Sequence, residues 1–429
     1  MLELVKSSTA RKIASNTIYQ IAGKAITMAV TILITVIVAK QYGRESYGEF
    51  NIMQAFPALF FIIADFGLNA IATRDLSTDW KKANSYFANI LGIRIALSSF
   101  IILVAALALF LFPYSPTLRI GIQLGLLLVL TQALFATTNI IFQVKLRYDL
   151  STIGLVSSYL SILLFSLLSA RQGWNVMWIN FAYVIGGFIS FLINLHFVQK
   201  LGIKLGLSFD KTLWKYLFLQ SLPLGLMFIF SQINFRSDSI LISILSLPQK
   251  LNLSNTESVA IYGLPYKIFE VSLVLPTFFM NSVYPVFVRH MSDGPAKLKK
   301  TLFQALQVLA LVGVFVGIVG YVTAPWVIEV LGGRQFILSV SVLRVLLAGV
   351  IVFYLTQPIS WLIITLGKQA YLPWIYLVGA VFNLGLNALL IPRYSFYASA
   401  NLTWVSEAMI LVLLVIFAKK AWKLKYAQN

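Results

Sequence analysis

The sequence LGIRIALSSFIILVAALALFLF, residues 91–112, contains a single charged residue, Arg94. An apolar run of about 20 residues is long enough for an α-helix to cross the hydrocarbon core of a bilayer. Similar runs recur along the chain, in which hydrophobic residues fill 59% of 429 positions and charged residues only 11%. A soluble protein needs more polar surface than this composition provides. The sequence therefore predicts an integral membrane protein.

The apolar runs are long and continuous, which favours membrane-spanning helices over the short alternating strands of a β-barrel. We predict an all-α fold, a polytopic membrane protein with about 12 transmembrane helices in two six-helix bundles around a central cavity. The predicted helices lie near residues 13–39, 51–71, 86–112, 120–143, 151–170, 175–198, 214–246, 260–288, 302–330, 337–366, 371–392 and 397–418.

The basic residues predict which loops face the cytoplasm. The formal net charge is +19, and Lys and Arg form short clusters between the apolar runs. The positive-inside rule then places both termini and the even-numbered loops in the cytoplasm. The opposite side keeps few basic residues: Lys40, Arg44, Arg119, Arg171, Lys250, Arg334 and Arg393. Because topology explains the positive charge, we do not expect nucleic acid as a partner.

The longest cytoplasmic hydrophilic stretch follows the sixth helix and divides the chain into halves. We predict an N-terminal six-helix bundle at 1–199, a cytoplasmic linker at 200–215 and a C-terminal six-helix bundle at 216–429. The halves share one spacing between a Tyr-Gly pair and an arginine: Tyr47, Gly48 and Arg74 in the first, and Tyr262, Gly263 and Arg289 in the second. Repeats of equal topology place a substrate cavity at their interface.

Polar residues recur every three or four positions along the first helix, which places them on one face: Asn16, Gln20, Lys24, Thr27, Thr31 and Thr35. The threonines could instead form a polar seam against a neighbouring helix. Lys24 is different, because an ammonium group inside a span is costly unless it is paired or hydrated. We therefore predict that Lys24 lies in a wet cavity.

Two further charges fall in the second and third helices. Asp65 shares a stripe with Gln54 and Asn69, and it could serve in a structural ion pair or as a gating or ion-coupling carboxylate. For Arg94 we favour snorkelling to the cytoplasmic interface over an inward contact with an anionic group.

The seventh and eighth helices carry the densest polarity. Asp238 shares a face with Asn234, whereas Arg236 points elsewhere, so each charge should meet another helix or water in a central vestibule. A buried structural triad is the alternative. Lys267 and Glu270 are close enough for a local pair, and neighbouring prolines and tyrosines suggest a bent helix that lines a cavity. In the last helix, Glu407 could be a simple hydrogen-bonding residue.

Cations inside a membrane imply an anionic ligand. Phosphate or pyrophosphate would suit an Arg and Lys cavity through charge-assisted hydrogen bonds, and a carboxylate could also fit. We predict substrate-binding roles for Lys24, Arg94, Arg236 and Lys267, and gating or ion-coupling roles for Asp65, Asp238 and Glu270.

Enzymatic signals are weak, and we predict neither catalytic nor metal-binding residues. The histidines, His196 and His290, belong to no cluster with metal-ligand spacing. No GxxxxGK[ST] phosphate loop is present, so energy must come from an ion gradient, the membrane potential or a substrate gradient. We expect no cofactor, and coupling to H⁺ or Na⁺ is left open.

Several segments also carry a family likeness, in order along the chain: VAKQYGRESYGEF (38–50), DFGLNAIATRDL (65–76), LGIRIAL (91–97), FQVKLRYDL (142–150), IYGLPYKIFEVSLVLPTFFMNSVYPVFVR (261–289), LGGRQFILSVSVLRVL (331–346) and VFNLGLNALLIPRYSFYASA (381–400). Through them the chain resembles the bacterial polysaccharide flippases of the Wzx type, within the multidrug/oligosaccharidyl-lipid/polysaccharide exporter superfamily. Lys40 stands where an Arg is usual in that family, and Ala398 where Gly is frequent.

The resemblance implies a flippase of the bacterial inner membrane. It would move undecaprenyl-pyrophosphate-linked oligosaccharide from the cytoplasmic to the periplasmic leaflet by alternating access, for the O-antigen of lipopolysaccharide or a related surface polysaccharide. In that reading Lys24, Arg236 and Lys267 receive the pyrophosphate and sugar head group, while Asp65, Asp238 and Glu270 tune or gate the cavity. A polysaccharide polymerase and a chain-length regulator are implied partners beside the lipid bilayer.

Two alternatives stay open at this point. One is a cation-coupled multidrug exporter of the same superfamily, against which a net-positive cavity argues. The other is a membrane polysaccharide polymerase or ligase, which usually has a large periplasmic loop, whereas the longest candidate here, 247–259, is short.

Overall fold

The structure, a computed structural model, describes residues 8–426, with side chains described from Ile18 onward. Within that part of the chain helix is the only regular secondary structure, which confirms the predicted all-α class. The helices are α1 (Ser8–Ile37), α2 (Gly43–Asp65), α3 (Leu68–Thr78), α4 (Ala83–Ala108), α5 (Pro116–Lys145), α6 (Tyr148–Arg171), α7 (Val176–Lys200), α8 (Lys211–Ile244), α9 (Asn255–Ser272), α10 (Val274–Asp293), α11 (Pro295–Gly332), α12 (Ser339–Ala348), α13 (Val350–Thr365), α14 (Leu372–Tyr394) and α15 (Phe396–Tyr426).

The helices are long enough for a multi-pass membrane protein. Among the described residues, 11 helical stretches have the length and apolar composition to cross a bilayer. The first of them, Ile18–Thr78, has 61 residues, which corresponds to about 90 Å of helix and so to two crossings. A π-helical turn at Val38–Tyr42 lies within this stretch. The predicted number of about twelve crossings agrees with this architecture.

Three predicted helices are interrupted in the structure. Phe66 and Gly67, with φ of 45° and 72°, separate α2 from α3 directly after Asp65. Leu273 separates α9 from α10. Gly349 separates α12 from α13, and a Cβ on this glycine would lie 2.3 Å from the Cβ of Trp404. A broken helix leaves backbone polar groups at membrane depth, which is common where a helix borders a binding site.

By their internal contacts the residues form two compact units. Unit 1 comprises the chain up to Tyr42 together with Ile52–Ile229, and unit 2 comprises Gly43–Asn51 together with the chain from Phe230 onward. The predicted linker, 200–215, includes a non-helical segment at 201–210, whereas the units divide later, within α8. The predicted domain boundaries therefore stay a prediction.

Unit 1 is built around α5, which packs against α3, α4 and α7. A close approach of α5 and α7 depends on Gly187, because a Cβ there would lie 2.5 Å from the hydroxyl oxygen of Thr131. Small residues allow helix backbones to approach closely in membranes, where hydrophobic burial gives little driving force between helices. In unit 1 this packing positions the polar side chains described below.

Unit 2 contains a tight crossing between the start of α2 and α9. A Cβ on Gly48 would lie 2.0 Å from the carbonyl oxygen of Thr256, and a Cβ on Gly263 would lie 2.8 Å from the side chain of Asn51. These two glycines belong to the Tyr-Gly pairs that the sequence analysis matched. The two Tyr-Gly pairs therefore lie at the same crossing of α2 and α9.

A charged contact lies beside this crossing. Ser254 caps α9, its hydroxyl accepting from the Glu257 amide at 3.0 Å while the Glu257 carboxylate accepts from the Ser254 amide at 3.0 Å. The other oxygen of Glu257 accepts hydrogen bonds from Nε and Nη2 of Arg44. Arg44 also donates to the carbonyl of Gln335 at 3.3 Å. Glu257 therefore both caps α9 and holds the start of α2.

Candidate functional site

The polar face predicted on the first helix divides into two parts. Lys24 and Gln20 are exposed, whereas Thr27 and Thr35 are buried. The hydroxyls of the threonines donate to carbonyls three or four residues earlier in the same helix, at 2.8 to 3.0 Å, so they form a seam with satisfied hydrogen bonds. Asn16 lies outside the described side chains.

Asp65 and Arg94 form an ion pair in unit 1. The guanidinium Nη2 of Arg94 lies 2.5 Å from Oδ1 of Asp65 and donates to Oδ1 of Asn69 at 3.0 Å. Its Nη1 donates to the hydroxyl of Thr137 at 3.1 Å and to the carbonyl of Ala133 at 3.3 Å. α2, α3, α4 and α5 each supply a member, so the cluster connects the helices on both sides of the break after Asp65.

The structure corrects the expectation that Arg94 snorkels to the interface. Its side chain is 0% exposed, while Asp65 retains 16%. An enclosed guanidinium with four hydrogen-bond acceptors around it cannot reach a head-group region, and it has no free face for a substrate. The predicted direct contact between Arg94 and substrate therefore does not fit this geometry. Arg94 instead neutralises and positions Asp65.

A partly open cavity of about 520 Å³ lies beside this ion pair, within unit 1. Asp65 and Asn69, both bonded to Arg94, line it together with side chains from α5, α6 and α7. The lining is mixed: amides and hydroxyls alternate with aromatic rings, namely Gln132, Asn139, Ser158, Tyr159, Tyr183, Ser190, Phe61 and Phe135. Since Asp65 is the lining carboxylate and Arg94 neutralises it, the cavity carries no net formal charge.

The other member of the predicted stripe, Gln54, takes no part in this cavity. Its amide donates to Oδ1 of Asn180 at 2.8 Å, and Asn180 in turn donates to the carbonyl of Gly121 at 3.0 Å. Gln54 therefore joins α2 to α7 and α5 as a structural residue. The common helix face predicted for Gln54 and Asp65 does not bring them to one site.

Asp238 lies at the centre of a buried hydrogen-bond network in unit 2 and is 1% exposed. One carboxylate oxygen accepts from the hydroxyls of Tyr262 at 2.6 Å and Thr403 at 3.3 Å, and the other accepts from the amide of Asn387 at 3.0 Å. Among the side chains described from Ile18 onward, no basic group forms an ion pair with Asp238. A carboxylate buried without a cation is costly in a membrane, so Asp238 is a candidate functional residue.

The network around Asp238 extends through α14 and α15. Asn387 accepts from the hydroxyl of Ser399 at 2.7 Å and donates to Oδ1 of Asn383 at 3.1 Å. Asn383 also meets the hydroxyls of Ser237 and Ser406, at 3.4 and 3.3 Å. Nearby, the buried Glu407 accepts from Thr356 at 2.7 Å, in agreement with its suggested hydrogen-bonding role.

These α14 and α15 residues were not among the predicted site residues. A signal was present, because Asn383 and Asn387, like Ser399 and Thr403, are four residues apart in otherwise apolar helices. Polar side chains at that spacing share a helix face. Their connection to Asp238, far away in the sequence, becomes visible only in the folded structure.

Arg236, Glu270 and Lys267 form a separate charged cluster in unit 2. Arg236 Nη2 lies 2.7 Å from Oε1 of Glu270, and Lys267 Nζ lies 3.7 Å from Oε2. The side chains are 29%, 24% and 42% exposed, in the order Arg236, Glu270, Lys267. Two cations share one carboxylate, so the cluster carries a net positive charge. Asp238 is not a member, which agrees with the expectation that Arg236 and Asp238 point to different neighbours.

The predicted site residues thus fall into three described clusters and one separate lysine. Asp65 meets Arg94, Arg236 and Lys267 meet Glu270, and Asp238 meets uncharged hydrogen-bond donors. Lys24 has no side-chain hydrogen bond or ion pair within the described part of the chain. In the same part of the chain, no group of three or more His, Cys, Asp or Glu side chains could hold a metal ion.

Long apolar helices define the class: this is a multi-pass helical membrane protein. Residues 13–291 match the family model described as polysaccharide biosynthesis protein. Because the match covers more than half of the chain, the chain belongs to that family. No curated protein is similar enough to count as a relative.

Solved structures share the fold at low sequence identity. The lipid II flippase MurJ in an inward closed conformation is 16% identical with a TM-score of 0.73, covering 94% of this chain and 87% of MurJ. An inward-facing multidrug resistance MATE family transporter is 12% identical with a TM-score of 0.73, covering 95% and 99%. A MOP superfamily transporter from Pyrococcus furiosus, described as having a binding pocket of reverse polarity, is 14% identical with a TM-score of 0.66, covering 99% and 98%.

Proposed function

We propose that this protein is a flippase for undecaprenyl-pyrophosphate-linked oligosaccharides, which it moves by alternating access for O-antigen or a related surface polysaccharide. The observation that carries the proposal is the net-positive cluster of Arg236, Lys267 and Glu270. These residues lie on α8 and α9, in helical stretches that are long enough to cross a bilayer. A pyrophosphate offers several anionic oxygens, and Arg and Lys compensate its desolvation through charge-assisted hydrogen bonds. Membership of the polysaccharide biosynthesis family supports the same substrate class.

We assign the pyrophosphate to Arg236 and Lys267 in unit 2, and a substrate-binding role to Lys24 in unit 1. Lys24 has an exposed ammonium group, and the Arg236–Lys267 pair holds more positive charge than Glu270 neutralises. Arg94 is assigned a positioning role, because it is enclosed by Asp65 and its neighbours. No bond is made or broken in such a process, so the activity is transport.

The unit 1 cavity supports a sugar as the uncharged part of the cargo. Amides, hydroxyls and aromatic rings provide hydrogen bonds and flat apolar faces, which a hydroxyl-rich ring can use. An organic cation would gain little there, because the Asp65 charge is already compensated by Arg94. This balance favours a neutral glycan over a cationic drug.

Asp238 is the residue we assign to ion coupling. Its carboxylate has no basic partner in the described part of unit 2 and is surrounded by hydroxyl and amide groups. Oxygen ligands of this kind suit a hard cation such as Na⁺, and a proton can occupy the same carboxylate. Either ion would neutralise the buried charge during one half of the transport cycle.

The remaining parts of the proposal follow from the substrate. The carrier lipid is made in the cytoplasmic leaflet of the bacterial inner membrane, so we place the protein there with both termini in the cytoplasm. Polysaccharide polymerase and a chain-length regulator would act on the exported unit and are the proposed partners.

A cation-coupled multidrug exporter is the second candidate, and the likeness to MATE transporters supports it. A cation site needs an uncompensated carboxylate in a cavity, whereas Asp65 is paired. For a polymerase or ligase, the connection between α8 and α9 is confined to residues 245–254, which is too short to fold into a domain.

The test is binding to the purified full-length protein. We expect undecaprenyl pyrophosphate to bind the wild type, and the R236Q/K267Q variant to bind it at least about tenfold more weakly, since charged hydrogen bonds each contribute about 1.5–3 kcal/mol. The matched control is K250Q/R334Q, which removes the same charge at exposed positions and should bind as the wild type does. Tight binding of tetraphenylphosphonium in place of undecaprenyl pyrophosphate would support the exporter instead.

A further inference from the structure

Unit 2 carries a groove of about 490 Å³ between α11 and α15. α13 packs against both helices and forms the floor, where Ile359 and Leu362 are 8% and 3% exposed. The α11 wall includes Phe303, which is 52% exposed, and the α15 wall includes Val415. The floor is closed and the walls are open and apolar, so the groove presents an apolar surface to the outside of this unit.

One end of the groove is strongly basic. Lys299 lies near the start of α11, and Lys419 and Lys423 lie in the last turns of α15. All of them are exposed. The groove lining contains no carboxylate, and within the described residues none of these lysines takes part in an ion pair. The nearby Asp293 is paired with Lys297, at 3.2 Å, outside the groove.

The apolar part follows the basic end directly. Along α11, Leu302, Phe303 and Leu306 succeed Lys299, and the distance from Leu302 to Leu306 corresponds to about 6 Å of apolar wall along the helix axis. Trp422 lies beside the lysines of α15, and tryptophan is typical of the level at which lipid head groups begin. The groove therefore matches a molecule with an anionic head and a hydrocarbon chain.

We infer that this groove is a binding site for an anionic phospholipid of the surrounding bilayer, with its phosphate at Lys299, Lys419 and Lys423 and an acyl chain along α11 and α15. Basic pockets between membrane helices bind such head groups. Free phosphate would leave the exposed apolar wall at Phe303 uncovered, whereas a phospholipid would cover both the basic end and the apolar wall of the groove. The site is separate from the Arg236 cluster and does not depend on the proposed function.

Native mass spectrometry of the purified full-length protein tests this site. The protein is incubated with phosphatidylglycerol, phosphatidylcholine and undecaprenyl phosphate at equal concentrations, and the retained lipids are counted. We expect the wild type to retain phosphatidylglycerol roughly tenfold more than phosphatidylcholine, and K299Q/K419Q/K423Q to lose that preference, since each lysine contributes to attraction of an anionic head group.

The control variant is K300Q/K420Q/K425Q. It removes the same charge from the same ends of α11 and α15, at exposed positions outside the groove lining, and should keep the preference of the wild type. Equal loss in both variants, or no preference in the wild type, would overturn the site. Preferential retention of undecaprenyl phosphate through the groove lysines would overturn the assigned occupant.

Discussion

Arg94 shows how a single side chain can decide the chemistry of its neighbour. Its guanidinium is fully enclosed and lies 2.5 Å from Asp65, which borders a cavity. Removing one partner of a buried ion pair strands the other charge, which typically costs about 3–5 kcal/mol. Because Asp65 is 16% exposed and can attract water, we expect the lower end of that range.

The first prediction concerns this pair. R94Q should lower the thermal unfolding temperature of the detergent-solubilised protein, whereas the double variant D65N/R94Q should recover most of the loss, since it contains no stranded charge. Unfolding of R94Q at the wild-type temperature would show that the ion pair contributes no stability.

The second prediction concerns Asp238. D238N keeps the size of the side chain but removes its charge, so transport in proteoliposomes should no longer respond to an imposed H⁺ or Na⁺ gradient. E407Q is the matched control, because Glu407 is also buried in unit 2 but bonds to Thr356 outside the Asp238 network. Gradient-driven transport by D238N at the wild-type level would remove Asp238 from the coupling step.

The sequence was enough to select the charged residues of the candidate site, but not the side chains that most of them contact. The Lys267–Glu270 contact follows from a spacing of three on one helix and is present at 3.7 Å. The partners Asp65 and Arg94, like Asp238 and Asn387, lie on different helices. Helix spacing carries no information about which helices pack together, so those contacts required the tertiary structure.

Among the elements, the crossing of α2 and α9 depends most directly on side-chain size. A Cβ on Gly48 would meet a backbone carbonyl, which cannot move aside, whereas a Cβ on Gly263 would meet the flexible side chain of Asn51. Gly385 on α14 has no neighbouring atom within 4 Å of such a Cβ. Replacement of glycine by alanine therefore has a different structural consequence at each of these three positions.

The third prediction follows from this comparison. G48A should lower stability by about 1–3 kcal/mol through overpacking, G263A should have a smaller effect, and G385A should be neutral or stabilising by roughly 0.5 kcal/mol. Thermal unfolding of the purified variants gives the order. If G48A were as stable as G385A, the close crossing in unit 2 would be wrong.

The elements themselves were largely predictable, but their interruptions were not. Long apolar runs predict where helices cross, because the requirement to satisfy backbone groups in lipid is strict. The break at Phe66 and Gly67 does not interrupt the apolar sequence, so the hydrophobic pattern does not reveal it. Phe66 has a left-handed backbone conformation, which is unusual for a bulky residue and is not expected from the sequence. Similarly, the need for glycine at position 349 comes from Trp404 of another helix, which occupies the space that a Cβ would enter.

For the whole molecule, the distribution of basic residues predicts orientation, and the chain offers a direct test. It contains no cysteine, so a single introduced cysteine reports its own position. We expect K204C to react with an impermeant maleimide only from the cytoplasmic side and K250C only from the periplasmic side. Labelling of both from the same side would refute the predicted topology.

Transport of a pyrophosphate-linked glycan across the membrane can be measured with the purified protein reconstituted into vesicles. Lipid-linked oligosaccharides extracted from the cells that make this protein supply the cargo, and an impermeant glycan-oxidising reagent reports arrival in the outer leaflet. We predict transfer by the wild type and by K250Q/R334Q, and at least about tenfold slower transfer by K24A and by R236A. Transfer by these two variants at the wild-type rate would remove Lys24 and Arg236 from substrate binding. Transfer in wild-type vesicles no faster than in empty vesicles would show that the protein does not flip this glycan.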